Sequence, residues 1–308
     1  MLKILYMGTP DFSVEPLKKL LENTDKYQVV AVATNNDKPV GRKQVLTPSP
    51  VSLVATENNI EVLKYDKIRL EGVEDVKRVN PDVIITCAFG QILSQEIIDI
   101  PKYGVINIHA SILPKYRGAS PVHYAILNGE KEVGVTIMKT DIGIDTGDIL
   151  YVKKTAVNDG ETCGSLMDRL SKLGAEAIIE SLDAIISGEV KPIKQDDSMS
   201  TYTSIIKKQH ALIDWTKSAD EIYNQVRAFN PAPIAYTFLD GEMLKIYQVK
   251  VVDGIGGCGE VIKNDKSLVV GTGCGAIEIC LLQKAGGKMM NVSDFLKGNR
   301  IELSKKLG

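Results

Sequence analysis

Short apolar runs alternate with amphipathic stretches through the first two-thirds of the chain. Residues 2–6 form an apolar run that stops at the turn Gly8-Thr-Pro-Asp11. Val14, Leu17, Leu20 and Leu21 then recur at helical spacing. Further strand-like runs follow at Val29–Thr34, Val83–Ala88 and Val105–His109, with helical patterns between them around Ile68–Val79 and Ser94–Ile98. This alternation predicts a doubly wound (Rossmann-like) α/β unit, a mostly parallel sheet with helices on both faces. A long helix is predicted from about Thr162 to Ser187, with Leu166, Leu170, Leu173, Ala177, Ile178 and Leu182 on one side. Beyond residue 208 the period changes. One helix is expected at Ser218–Phe229, with Ser218 as N-cap and Glu221 three residues on. Runs such as Leu244–Val252 and Ser267–Val270, broken by glycines, then predict a small β-barrel or sandwich. The polar, turn-rich stretch Gln195–Thr201 reads as the join. The expected organisation is a domain over residues 1–190, a linker over 191–207 and a smaller barrel domain over 208–308.

Composition narrows the class. The 308 residues are 44% hydrophobic and 25% charged, which excludes disorder, collagen and coiled coil. No uncharged apolar run approaches the roughly 18 residues of a membrane span. The first apolar run turns polar by Asp11, too early for a signal peptide. Five cysteines without a C-x-x-C pair read as free thiols in a reducing compartment, so the cytosol is expected. Charge is uneven: residues 1–206 hold 23 basic against 28 acidic side chains, and residues 207–308 hold 14 against 11. A basic final third fits a module that approaches a polyanion, although a solvated surface explains so small an excess equally well.

The glycine-rich segments are poor nucleotide loops. Gly254-Ile-Gly-Gly-Cys-Gly259 has the dinucleotide spacing, but the next residues, Glu260–Asp265, look like strand and turn rather than a helix. Gly271-Thr-Gly-Cys-Gly275 fails for the same reason, and both are expected to be hairpin turns with positive φ. Of three histidines, His210 lies among lysines and reads as solvated, and His123 falls in an expected helix. His109 ends a strand two residues after Asn107, so the two side chains share a face. Ligands in open α/β sheets bind at carboxyl ends of strands. On pattern alone, a catalytic pair and a histidine satisfied by local backbone are near parity. Asp141, Asp145 and Asp148 stand among glycines without EF-hand spacing, and a carboxylate such as Asp145 is suited to orienting an imidazole. No serine or cysteine sits in a nucleophile-elbow pattern, which disfavours covalent acyl transfer.

These residues also carry a family resemblance. Asn107-Ile-His-Ala-Ser-Ile-Leu-Pro-Lys-Tyr-Arg-Gly118, followed by Gly134-Val-Thr-Ile-Met138 and Asp141-Ile-Gly-Ile-Asp-Thr-Gly147, resembles the core of the folate-dependent formyltransferases. The likeness spans nearly the whole chain, through Gly8-Thr-Pro-Asp-Phe12, Gly41-Arg42 with Pro48-Ser-Pro50, Ile213-Asp-Trp215 and Arg227-Ala-Phe-Asn-Pro231. The C-terminal motifs resemble those of the branch that acts on tRNA. Two positions depart from the pattern. Lys43 follows Gly41-Arg42 where a second glycine is common, and Lys139-Thr140 replaces a more usual Met-containing pair.

The resemblance implies formyl transfer from 10-formyltetrahydrofolate to the α-amino group of initiator methionyl-tRNA, by a monomer and without a metal. It assigns the oxyanion to His109 and Asn107 and the assisting carboxylate to Asp145. It places the folate against Ser111, Ile112, Leu113 and Pro114, the Phe89, Gly90, Gln91 and Ile92 turn, and Asp141. Arg42 and Lys43 in the loop Asn35–Pro50 would reach the tRNA acceptor end, with the C-terminal domain an OB-like barrel that contacts the tRNA. A glycinamide ribonucleotide formyltransferase shares this core but has no use for a basic C-terminal hundred residues. A formyltetrahydrofolate hydrolase, with water as acceptor, is expected to carry an N-terminal regulatory module. A non-catalytic RNA-binding protein would not need Asn107, His109 and Asp145 intact.

Overall fold

The computed structural model describes every residue of the chain except Arg42. The chain divides into two compact units, neither of them continuous in sequence. The first comprises Met1–Pro121, Glu132–Ala156 and Met167–Thr203, and the second Val122–Lys131, Val157–Leu166 and Ser204–Gly308.

The first unit contains β1 (Leu2–Gly8), β2 (Tyr27–Asn35), β3 (Lys38–Val40), β4 (Val45–Thr47), β5 (Glu61–Tyr65), β6 (Val83–Cys87), β7 (Val105–His109), β8 (Arg117–Gly118), β9 (Glu132–Lys139), β10 (Ile149–Ala156) and β11 (Tyr202–Thr203). Seven of them form one sheet in the order β10-β9-β7-β6-β1-β2-β5. The five strands from β5 to β7 are parallel, while β9 and β10 add an antiparallel edge. Every residue of β6 is buried, as a central strand covered on both faces requires. One face is capped by a cluster that includes Leu5, Met7, Ile84, Val105, Leu93 and Ile97. On the other, the helix Cys163–Ser187 approaches closely at Gly174, where a Cβ would meet Ile108 and Val135. From β1 the chain builds outward through β2 and β5, then returns to the other side with β6 and β7. The direction therefore reverses between β1 and β6, and the crevice at their carboxyl ends is where such sheets bind ligands.

Two segments of this unit differ from the sequence expectation. Within the expected loop, residues 38–40 and 45–47 pair as the β3–β4 hairpin, which leaves Val40, Val45 and Leu46 exposed. Residues 195–203, polar enough to read as linker, pack onto the first unit, with Gln195 buried and β11 paired to β8. Gln195 is buried, and Asp197 and Tyr202, themselves exposed, turn polar atoms onto the buried Arg117 guanidinium.

The second unit contains β12 (Ala235–Leu239), β13 (Glu242–Val252), β14 (Val261–Lys263), β15 (Leu268–Gly271), β16 (Ala276–Lys284) and β17 (Met289–Asn291). Their antiparallel order is β12-β13-β16-β15-β14, with β17 beside β16, an OB-like half-barrel. The long β13 shifts register near Gln248, which bends it enough to curl the sheet. The gap between β14 and β12 is bridged by the tail. Val261 N–H donates to Lys305 O, Leu307 N–H to Gly259 O, and Gly308 N–H to Phe238 O at 2.8, 2.9 and 3.0 Å. Trp215, Ile222, Val226, Ile246, Ile279 and Phe295 are among the residues that fill the interior. Gly259 and Gly275 take φ of +76° and +80°, as turns of this kind require. Gly254 and Gly256 are needed for another reason, since a Cβ on either would collide with Ile262.

The helix expected at Ser218–Phe229 spans Ala219–Ala228, with Ser218 and Glu221 forming the reciprocal capping box. Ser218→Ala is expected to lower stability by about 1 kcal/mol, read as a lower denaturant midpoint at constant m-value. An unchanged midpoint would contradict the cap. Among the described residues, no helix is long and apolar enough to cross a membrane.

Candidate active site

β6 and β7 end side by side, with Thr86 opposite Asn107 and Cys87 opposite Ile108. Along β7, Val105, Asn107 and His109 share one face, and Val105 belongs to the apolar cluster beneath it. That face therefore turns from apolar to polar as it reaches the carboxyl edge. Thr86 Oγ1 donates to Asn107 Oδ1 at 2.9 Å, which leaves the amide –NH2 of Asn107 directed away from the strand pair. One of its hydrogens meets Asp145 Oδ1 at 3.4 Å.

His109 is 6% exposed. Its Nε2 lies 3.0 Å from the Tyr116 carbonyl, which can only accept, so Nε2 carries a proton in this arrangement. Nδ1 lies 3.5 Å from Asp145 Oδ2, too far for a firm hydrogen bond. Gly118 N–H donates to the same Oδ2 at 2.8 Å. Asp145 thus stands where the amide of Asn107, the ring of His109 and one backbone N–H converge. It adopts φ +53° in the glycine-flanked loop after β9. The structure brings together all three residues singled out for catalysis, from one strand and a loop separated by up to 38 residues.

The residues assigned to a folate divide by what their side chains do. Phe89 is buried in the cluster beneath the sheet, and Leu113 is 4% exposed. Gln91 is committed to Asn35 Oδ1, the Tyr65 carbonyl and the Ile68 N–H at 2.6–2.8 Å. Ser111 Oγ donates to the Lys115 carbonyl at 2.7 Å, and its own carbonyl accepts from Thr136 at 2.6 Å. Ile112 packs toward Gly134 of β9. Asp141 Oδ1 accepts from Gly143 N–H and Thr146 Oγ1, shaping its own loop. What remains open to a ligand is the backbone at Gly90, the exposed Ile92, the partly exposed Pro114 and the outer edge of Asp141. Lys43 is exposed near the tip of the β3–β4 hairpin, whereas Arg42 lies outside the described residues.

Sequence reasoning missed three participants. Thr86 sets the Asn107 amide, Arg117 is 1% exposed, and Gln195 donates to the Asp145 carbonyl. Only the polarity of Thr86 in an otherwise apolar strand signalled any of them.

Cys87 ends β6 beside the site, but burial pushes its thiol up to about 12. Cys163 is pushed up to about 12 by the same desolvation. A thiol held above its usual range stays protonated at neutral pH and is a poor nucleophile. Alkylation at about pH 8 is therefore expected to modify the exposed Cys258 and Cys274 and to spare Cys87 and Cys163, read by peptide mass. Rapid modification of Cys87 would contradict this. Among the described residues, no group of three or more His, Cys, Asp or Glu side chains is placed to hold a metal.

Comparison with known proteins agrees with the architecture. Residues 2–182 match the family model of formyl transferase, and residues 205–300 match that of the formyl transferase C-terminal domain. A methionyl-tRNA formyltransferase of Geobacter sulfurreducens is 46% identical, covering 100% of this chain and 97% of the relative. One from Bacillus cytotoxicus is 44% identical, covering 100% and 99%. Among solved structures, an N-formyltransferase of Helicobacter canadensis in complex with folinic acid and dTDP-3-aminofucose superposes with a TM-score of 0.69. It is 27% identical and covers 92% of this chain and 100% of its own.

Proposed function

The chain belongs to the formyl transferase family, enzymes that move a one-carbon group, and from that premise we propose its substrates and the residues that act on them. The donor is 10-formyltetrahydrofolate and the acceptor is the α-amino group of methionine on initiator tRNA. The enzyme acts as a monomer in the cytosol. The observation that carries this reading is the Asn107–His109–Asp145 cluster at the carboxyl edge of the sheet. It stands in a chain that resembles proteins named for this reaction over its full length.

The neutral amine attacks the formyl carbon, and the carbonyl oxygen becomes an oxyanion. Asn107 is suited to receive it, because Thr86 holds its carbonyl oxygen and the –NH2 retains a hydrogen to offer. In its doubly protonated form His109 supplies the second donor through Nδ1 while Nε2 stays on the Tyr116 carbonyl, and the 3.5 Å contact of Nδ1 with Asp145 is loose enough to exchange for the oxyanion. Hydrogen bonds of this kind are often long before substrate arrives and tighten afterwards. Asp145 is the carboxylate beside both groups and takes the proton released by the attacking nitrogen, directly or through water. Collapse of the intermediate breaks the bond from the formyl carbon to N10 of the folate, and that nitrogen gains a proton. The pterin lies against the backbone of Phe89–Ile92, with Ser111–Pro114 and Asp141 flanking it. The barrel of the second unit contributes phosphate contacts, and Arg42 and Lys43 reach the acceptor end.

The reading is tested by offering one formyl donor to initiator methionyl-tRNA, elongator methionyl-tRNA, glycinamide ribonucleotide and a dTDP-amino sugar. A kcat/KM for the initiator tRNA at least about 10²-fold above the others is expected, a margin within the reach of transition-state discrimination. Preference for a small amine would reject the acceptor assignment. Arg42→Ala is expected to weaken tRNA binding and leave folate affinity alone. Equal tRNA affinity across several salt concentrations would remove Arg42 from the contact.

A further inference from the structure

The carbonyl groups of Asp145 and Gly147 are held by a single side-chain amide. Gln195 Nε2 donates to Asp145 O at 2.9 Å and to Gly147 O at 2.7 Å. Gln195 is 6% exposed, and its Oε1 accepts from Arg117 Nε at 3.0 Å. Arg117 is itself fixed at its other end, with Nη1 donating to the Tyr202 hydroxyl at 3.0 Å and Nη2 to Asp197 at 2.8 Å. The backbone on either side of Arg117 serves the same site. The Tyr116 carbonyl accepts from His109, and Gly118 N–H donates to Asp145.

Asp145 needs such support. It has a left-handed backbone in a loop whose residues 141–144 are exposed, and no strand partner sets its position. A non-glycine residue persists there only when its surroundings over-determine it. Gln195 grips the carbonyls on both sides of Thr146, so it fixes the peptide planes from which the carboxylate is aimed.

We propose that Gln195, oriented by the buried Arg117, is a positioning residue that sets the Asp145 carboxylate against Asn107 and His109. The proposal rests on the catalytic role of Asp145 given above. It assigns residues 195–203 a part in turnover although none of them touches a reacting atom. A small error in placing a catalytic group can cost about 10²-fold in rate, whereas a purely structural role for Gln195 would lower stability and leave kcat intact.

Gln195→Glu separates these possibilities. It keeps the volume and the acceptor for Arg117, but sets an oxygen against two carbonyl oxygens where two N–H groups were. A fall in kcat of about 10–10²-fold is expected, with KM for folate and tRNA changed less than about threefold and little change in melting temperature. Gln195→Met, which loses both hydrogen-bonding functions, should show the same kcat loss at a lower melting temperature. In the Asp145→Asn background, Gln195→Glu should cost no more than about twofold further, because the group it positions is gone. Near wild-type kcat in Gln195→Glu, or a full additional loss in the double variant, would overturn the proposal. Failure of the underlying assignment looks different. Asp145→Asn alone would then retain full turnover, and the proposal would fall with it.

Discussion

His109→Ala is expected to lower kcat about 10²–10³-fold, the loss typical of one oxyanion donor, while folate binding survives. The ring sits at the carboxyl end of β7 with 6% of its surface exposed, and its Nδ1 is the less firmly held nitrogen. Alanine removes that donor and leaves the Tyr116 carbonyl without its partner. Asn107→Ala should cause a loss of similar size, since Thr86 already orients the amide it removes. Turnover is measured at saturating donor and acceptor, with folate-analogue affinity and circular dichroism as controls. A folded His109→Ala enzyme within about threefold of wild type would remove the histidine from the oxyanion site.

Asp145→Asn is expected to lower kcat about 10²-fold and to change the shape of the pH–rate profile between about pH 6 and pH 9. The reason is geometric as well as electrostatic. Gly118 N–H and the Asn107 –NH2 both donate toward the carboxylate, and His109 Nδ1 faces the same oxygen as Gly118. An asparagine in its place accepts through one atom only, so one of these groups must face another donor. The variant also cannot take a proton from the attacking amine. Superimposable profiles of equal height would reject the role.

Much of this arrangement is legible in the chain. The apolar runs at 2–6, 83–88 and 105–109 locate the central strands, and period-two spacing places Asn107 and His109 on one face. Ser218 and Glu221 mark their helix start because a capping box is a local device. What escapes is what depends on pairing across long separations. β10 is only partly buried along its length, so it lacks the apolar signal of its neighbours. The β3–β4 hairpin has no buried face at all.

Residues 195–203 mislead for a deeper reason. Most of the segment is exposed, as its polarity suggests, yet Gln195, Asp197 and Tyr202 direct their polar atoms to a buried guanidinium and Gln195 also to the Asp145 loop. Gln195 carries no pattern that distinguishes it from a linker glutamine, and Arg117 gives no hint that its charge is enclosed. Phe89 and Gln91 show the converse. Both lie in a turn that faces the site, yet their side chains are occupied within the fold.

The most direct test tracks the formyl carbon itself. In a single turnover with donor labelled at the formyl group and initiator methionyl-tRNA, the label is expected on the methionine α-nitrogen, recovered as N-formylmethionine after hydrolysis of the ester. Label recovered as free formate, or left on the folate when charged initiator tRNA is present, would contradict the account.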